Sequence, residues 1–250
     1  MSQVTIKSKR EIELMRDAGK LLRDVHNRLA EEIAPGISTK DLDRLGEELI
    51  RKTDSVPSFL GFEGYPGSVC VSLNDEIVHG IPRDDIIIEE GDIVSLDIGL
   101  IHNGYQSDAA RTHACGKISE EASALIKVTE ESFFEGIKFA KAGNHLHDIS
   151  NAIGNYCIDR GYGVVRDLVG HGIGKEMHEE PSIPNFPQRT KGIKLVAGMT
   201  LAIEPMINIG RPDIIIFDDG WTCATADGSL SAHYENTILV TDGEPEILSL

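Results

Sequence analysis

The sequence predicts an α+β protein of two similar halves, each setting a pair of helices against antiparallel sheet and facing the other about a pseudo-two-fold axis. Three observations lead there. Helical and strand-forming stretches come in blocks, a helix pair and then strands, twice along the chain. Residues 95–113, SLDIGLIHNGYQSDAARTH, carry a strong hairpin signal, Asn103-Gly104 between two strands. Distant segments also repeat at one spacing. Gly36, Asp41 and Leu42 recur as Gly143, Asp148 and Ile149, and GDIVSLDI from Gly91 recurs as GMTLAIEP from Gly198, each 107 positions later.

In chain order, Ser8 and Glu11 form a capping box for a first helix with apolar face Met15, Leu22, Val25, Leu29 and Ile33, stopped by Pro35 and Gly36. A second helix, capped at Ser38 or Thr39, carries Leu42, Leu45 and Leu49 and fades near Thr53. FLGFEGYPG, from Phe59 to Gly67, reads as an ordered loop. Short strands follow at 68–73 and 76–79, then Gly80, Ile81 and Pro82 break the pattern before the hairpin begins after Gly91. Ser119 opens a third helix, with Leu125, Phe133 and Ile137, that ends at Gly143. Asn144 caps a fourth, with Leu146, Ile149, Ile153, Tyr156 and Cys157 on one face, and Gly161 stops it. GHGIGKEMH at 170–178 is punctuated by glycine, and a proline-rich stretch runs to Pro187. The rest reads as strands over 200–209, 214–217, 222–225 and 232–240. No stretch is low in complexity or long enough to link domains. One domain over 1–250 is therefore expected, with halves at about 9–115 and 119–240.

With Asn103 and Gly104 as the two turn residues, His102 pairs with Tyr105, Gly99 with Asp108 and Asp97 with Ala110. Asp97 and Asp108 then share one face as diagonal neighbours, about 7–8 Å apart at the backbone. Two aspartates on an open hairpin face could equally be solvated, and the hairpin alone does not decide. The repeat adds that Asp97 falls on Glu204, with Asp108 matching Glu235 if the second half carries extra residues between its strands. All four sit in strand contexts, three of them strongly apolar, and buried carboxylates are not left unpaired. Two divalent cations would cancel four converging charges, and oxygen donors with one or two imidazoles suit a dinuclear site with metals about 3.5–4 Å apart.

Composition excludes several alternatives. A formal net charge of −17 repels phosphate backbones and anionic lipid, so neither nucleic acid nor a membrane surface is an expected partner. No apolar run reaches the length of a membrane span. Cys70, Cys115, Cys157 and Cys223 lie scattered without CxxC spacing, which reads as a cytoplasmic protein with reduced thiols. His79, His171 and His178 each lie beside glycine or at a break, where a side chain can reach into a cleft. HGIGKEMH is not a helical HExxH zinc motif, and GHGIG lacks the Lys and Ser or Thr of a phosphate loop.

The ordered set Asp97, Asp108, His171, Glu204 and Glu235, with His79 in VHGIP and His178 in HGIGKEMH, resembles the type I methionine aminopeptidases of the pita-bread metallopeptidase fold. The likeness covers essentially the whole chain. It implies that Asp97 chelates one metal, that Asp108 and Glu235 bridge two, and that His171 and Glu204 complete the other. It implies catalysis by Glu204 as proton acceptor, His178 at the scissile carbonyl and His79 at the backbone amide. Around the methionine side chain it places Phe59, Phe62, Tyr65, Cys70, Met177 and Trp221, soft sulfur and aromatics that suit an unbranched thioether. Met177 stands where the family often has another aromatic, and Phe59 where it commonly has cysteine.

The resemblance further implies two divalent metal ions (Mn, Fe, Co or Zn), a monovalent cation near Asn74 and Ser231, and action by a monomer on nascent chains near the ribosome exit. The substrate expected is an N-terminal methionine followed by a small residue. Proline-directed relatives usually carry an additional N-terminal domain. A silent peptide-binding module would typically have lost metal ligands, and a dinuclear phosphoesterase would carry more histidine and a basic phosphate site.

Overall fold

The computed structural model describes residues 4–250, so the first three residues of the 1–250 span lie outside the described residues. Four helices are set against antiparallel sheets. Helix α1, Lys9–Ala30, starts at the Ser8–Glu11 capping box and buries Met15, Leu22, Val25 and Leu29. It ends before Pro35, and Ile33 packs on the same core from the turn beyond it. Helix α2, Thr39–Lys52, is capped by Ser38, whose hydroxyl and amide meet Asp41. Helix α3, Glu120–Ile137, stops six residues short of Gly143, because the Ala142 and Gly143 amides turn away to bond Thr241 and Leu195. Helix α4, Leu146–Ile158, is capped by His145, not Asn144. The His145 amide donates to Asp148, while the Asn144 side chain reaches back to the carbonyl of Phe139.

The two helix pairs enter alike. Gly36 and Gly143 adopt φ of 96° and 98°, and Gly91 and Gly198 adopt 100° and 95°. Both pairs of the 107-residue repeat thus occupy backbone that favours glycine. Leu42 and Ile149, also equivalent, are each wholly buried, one in the core under α1 and α2, the other in the core under α3 and α4.

The central hairpin, Ile93–His102 and Tyr105–Ala114, has the register expected from its turn. His102 pairs with Tyr105, Gly99 with Asp108 and Asp97 with Ala110, around Asn103 and Gly104 at φ 49° and 80°. Val69–Leu73 and Val56–Pro57 flank its outgoing arm.

The second half departs from the expected strands in one consequential way. The 200–209 strand is two strands, Thr200–Ile203 and Met206–Asn208, and the 232–240 strand is likewise two, Ser231–His233 and Asn236–Leu239. Thr200–Ile203 pairs with Asn236–Leu239 in a five-stranded sheet, whereas Met206–Asn208 pairs with Ser231–His233 in another. Both chains change sheet at the same level, at Glu204-Pro205 and Tyr234-Glu235. Proline has no amide proton for a ladder, so Pro205 favours the break.

The glycine-punctuated and proline-rich segments also supply strands, Gly170–Gly172 and Glu179–Ile183, with Pro181 on the strand at the sheet edge. Among the described residues no helix is long and apolar enough to cross a membrane.

The halves are joined behind the hairpin. Ala110 and Glu235 exchange backbone hydrogen bonds, and the buried Thr237 hydroxyl both accepts from the Asp108 amide and donates to its carbonyl, 3.0 Å each. Thr237→Val keeps the shape but leaves two polar groups unpaired. It should lower the stability of the metal-free protein by about 1–3 kcal/mol in a denaturant titration. An unchanged midpoint would show that this junction does not hold the halves together.

Candidate metal centre

Asp97 and Asp108 project from opposite arms of the hairpin, and Glu204 and Glu235 from the two sheet crossings. His171 stands on the strand paired with Ala202, beside Glu204. One ligand atom each from Asp108, His171 and Glu235 lies within 4.8 Å of the others. His171 Nε2 is 3.6 Å from Glu204 Oε1 and 3.8 Å from Asp108 Oδ2. Asp97 joins the group beside Asp108, the two carboxyls being near enough to shift each other's ionisation.

The electrostatics of this cluster are unfavourable without a cation. Asp97 Oδ1, Asp108 Oδ1 and Glu235 Oε1 are buried and have no hydrogen-bond partner. Burial pushes the Asp97 carboxyl up to about 7. Burial, and after it the neighbouring carboxylates, hold Asp108, Glu204 and Glu235 well above the usual range. His171 Nδ1 lies 2.8 Å from the carbonyl of Gly172, which makes it the donor and assigns the lone pair to Nε2. That lone pair faces carboxylate oxygens that are themselves acceptors, at distances too long for hydrogen bonds. Hard oxygen donors around an imidazole lone pair, several of them unpartnered, fit divalent metal.

The cluster closes one end of a cavity of about 270 Å³. Its walls also include Phe59, Phe62, Tyr65, Cys70, Met177, Trp221, His79 and His178. Tyr65 and Trp221 meet edge to face at 5.2 Å between ring centres, and Phe62 meets His178 at 5.4 Å. His178 stands exposed, 4.5 Å from the His171 ring. His79 is aimed by a left-handed backbone, φ 60°, an uncommon conformation for a residue with a Cβ and one that concentrates at functional sites. Burial holds His79 and His171 down at about 4, and His178 below the usual imidazole range.

Five further residues line the cavity: Glu63, Val78, Leu168, Val169 and Met206. Each lies within three positions of a residue singled out from the sequence, which was the available signal. Gly99 was missed as well. A Cβ there would come within 2.9–3.0 Å of Ser58, Met177 and Phe59, so glycine lets the Phe59 and Met177 side chains of the pocket wall pack directly against this strand. Apart from the cavity, Asn74 and Ser231 meet directly, the Ser231 amide donating to the Asn74 carbonyl at 2.9 Å.

Residues 13–242 match the family model described as metallopeptidase family M24. The chain belongs to that family. M24 membership implies divalent metal at the carboxylate cluster. Among its relatives, the methionine aminopeptidase of Clostridium acetobutylicum is 54% identical over 247 residues, covering 99% of each chain. Methionine aminopeptidase 1 of Bacillus subtilis is 45% identical, covering 98% of this chain and 99% of that one. The crystal structure of the Thermotoga maritima methionine aminopeptidase superposes with a TM-score of 0.97 at 42% identity, covering 99% of both chains. The pita-bread fold of this M24 chain is thus the fold of those enzymes.

Metal removal should expose the strain of the carboxylate cluster through pH. Unfolded carboxyls ionise near about 4, and those of the metal-free fold at higher pH, so folding takes up protons in between and stability falls as pH rises through that window. The buried imidazoles act oppositely. Unfolded, they titrate near about 6.5, so they cost stability only as pH falls below that value. Between about pH 6.5 and 8, below the range where unfolded thiols ionise, the carboxyls decide. The melting temperature of metal-free protein is expected to fall from pH 6.5 to 8, and added Mn(II) to raise it more at pH 8 than at pH 6.5. A flat metal-free profile would contradict the raised carboxyls.

Proposed function

We propose that this M24 chain is a methionine aminopeptidase, hydrolysing the first peptide bond of polypeptides that begin with methionine followed by a small residue. The observation that carries the reading is a cavity lined by aromatics and soft sulfur together with Asp97, Asp108, His171, Glu204 and Glu235. An unbranched thioether fits such walls, and full-length relatives with this activity support it.

In this reading Asp97 would hold one metal and His171 with Glu204 the other, with Asp108 and Glu235 serving both. When bound, divalent metal supplies Lewis acidity and a nucleophile at neutral pH. Mn, Fe, Co or Zn suits this donor set. Glu204, part-exposed to the cavity, takes the proton of the attacking water. His178, neutral at physiological pH, donates to the developing oxyanion, and His79 faces the backbone amide and assists proton transfer to the leaving amine. Phe59, Phe62, Tyr65, Cys70, Met177 and Trp221 hold the methionine side chain. The carboxylates that end the cavity bind the free α-amine, which confines cleavage to the first bond. A monovalent cation at Asn74 and Ser231 would stiffen the strand leading to His79.

The whole chain then acts as one catalytic domain, with halves at 9–115 and 119–240. It works as a monomer in the cytoplasm on chains leaving the ribosome. Four free cysteines accord with a reducing compartment.

Metal-stripped protein supplied with single divalent metals should cleave Met-Ala-Ser but neither Met-Lys-Ser nor Ala-Pro-Ser. Preference for the proline peptide would assign a different M24 specificity, and no turnover with any metal would refute the enzyme reading. His178→Ala should lower kcat by about 10²–10³ while metal stoichiometry stays unchanged. Loss of metal in that variant would make His178 a metal ligand rather than the donor to the oxyanion.

A further inference from the structure

Glu235 reaches the cavity from a break between two strands, where its backbone is tied to the other half by a pair of hydrogen bonds with Ala110. One side chain from that half reinforces the tie. Arg111 lies on the returning arm of the hairpin, three residues after Asp108. Its Nη1 donates to the carbonyl of Glu235 and to that of Ala110, the latter at 2.7 Å, and its Nη2 donates to Asn236 Oδ1 at 2.6 Å. The guanidinium carbon lies 4.3 Å from the centre of the Tyr234 ring. Three consecutive residues, 234 to 236, are thus gripped by one planar group.

None of these contacts touches the Glu235 carboxylate, whose Oε1 has no hydrogen-bond partner. Its other oxygen lies 3.9 Å from His233 Nε2, too far for a hydrogen bond, so its direction follows the backbone, which Arg111 fixes together with the Ala110 bonds. We propose that Arg111 is a positioning residue for the metal centre: its fork locks the sheet crossing at 234–236, so that the Glu235 carboxylate stands where it can bridge to the Asp108 half. The inference rests on the reading of Glu235 as a metal ligand. It also accounts for arginine at this position. Two donors diverging from one plane reach a backbone carbonyl and a side-chain amide together while the plane covers a ring, and a lysine ammonium offers none of that geometry.

Arg111 also lines a second cavity, of about 260 Å³, together with Leu250, half exposed. A truncated Arg111 would leave a hole continuous with this cavity, which allows chemical rescue. Metal-free protein is titrated with Mn(II), bound ion being read from loss of the free-ion paramagnetic resonance signal. Arg111→Lys and Arg111→Ala should each bind Mn(II) roughly 10–100-fold more weakly than the unaltered chain, the range for groups that support metal ligands indirectly. Millimolar guanidinium should restore binding to Arg111→Ala, and methylammonium should not, with the metal-free melting temperature unmoved by either.

Glu235→Gln is the control. If it binds Mn(II) like the unaltered chain, the ligand assignment itself falls. If it binds weakly while Arg111→Lys binds normally, the positioning role is overturned. Should Arg111→Ala not fold, Arg111→Lys and Arg111→Gln carry the same comparison, and normal affinity in both overturns the proposal.

Discussion

The constraint on which this structure depends is the confinement of four carboxylates to one buried place. Burial raises the pKa of Asp97, Asp108, Glu204 and Glu235, and neighbouring carboxylates raise the last three further. Without cations such a group drives its own surroundings apart or takes up protons. The halves must therefore be joined firmly enough to hold like charges near each other while metal is absent. The joints lie immediately behind the carboxylates. Thr237 is tied to both polar atoms of the Asp108 backbone, Ala110 to Glu235, and Arg111 to the crossing beyond.

The duplicated plan supplies the geometry for this. Each half brings an acidic residue on a strand that begins after an equivalent glycine, Gly91 or Gly198, and a second on a strand that returns. In the first half the two strands form a plain hairpin. In the second they part company with their sheet at Glu204-Pro205 and Tyr234-Glu235 and join another. The difference has a purpose in the geometry. A continuous ladder would turn successive side chains to opposite faces, whereas a crossing lets Glu204 and Glu235 leave the sheet toward the hairpin.

Much of this was legible in the sequence, and the reason lies in range. The hairpin register followed from Asn103-Gly104 because turn chemistry is local: residues that tolerate positive φ sit at the turn, and the pairing counts outward from them. The capping box at Ser8 was legible for the same reason, while the cap of the second helix, open between Ser38 and Thr39 in the sequence, is Ser38. The repeat exposed the partnership of Asp97 with Glu204, since identical spacing survives where few identities do. What escaped reading depends on distant neighbours. Asn144 is a good cap by type, but His145 starts α4 because the amides before it are drawn to Thr241 and Leu195. Glu179–Ile183 looked like a proline-rich loop because its partner, Gly170–Gly172, is itself too rich in glycine to announce a strand. The sheet crossings were read as continuous strands, since both sides of each break are apolar.

The chemistry of the pocket follows from the same economy of charge. Burial keeps His79, His171 and His178 neutral through the physiological range, so the imidazoles add nothing to the charge the metals must balance. A neutral imidazole is also both donor and acceptor, which is what the roles proposed for His171, as a ligand, and for His79, in proton transfer, each require. Protonating any of them would place a cation beside the metal positions and compete for the same carboxylates. The apolar wall of Phe59, Tyr65, Cys70 and Met177 therefore has two effects at once. In the proposed reading it shapes a slot for an unbranched side chain, and by excluding water it keeps the buried rings of His79 and His171 neutral, the state that would let the carboxylate cluster hold divalent metal.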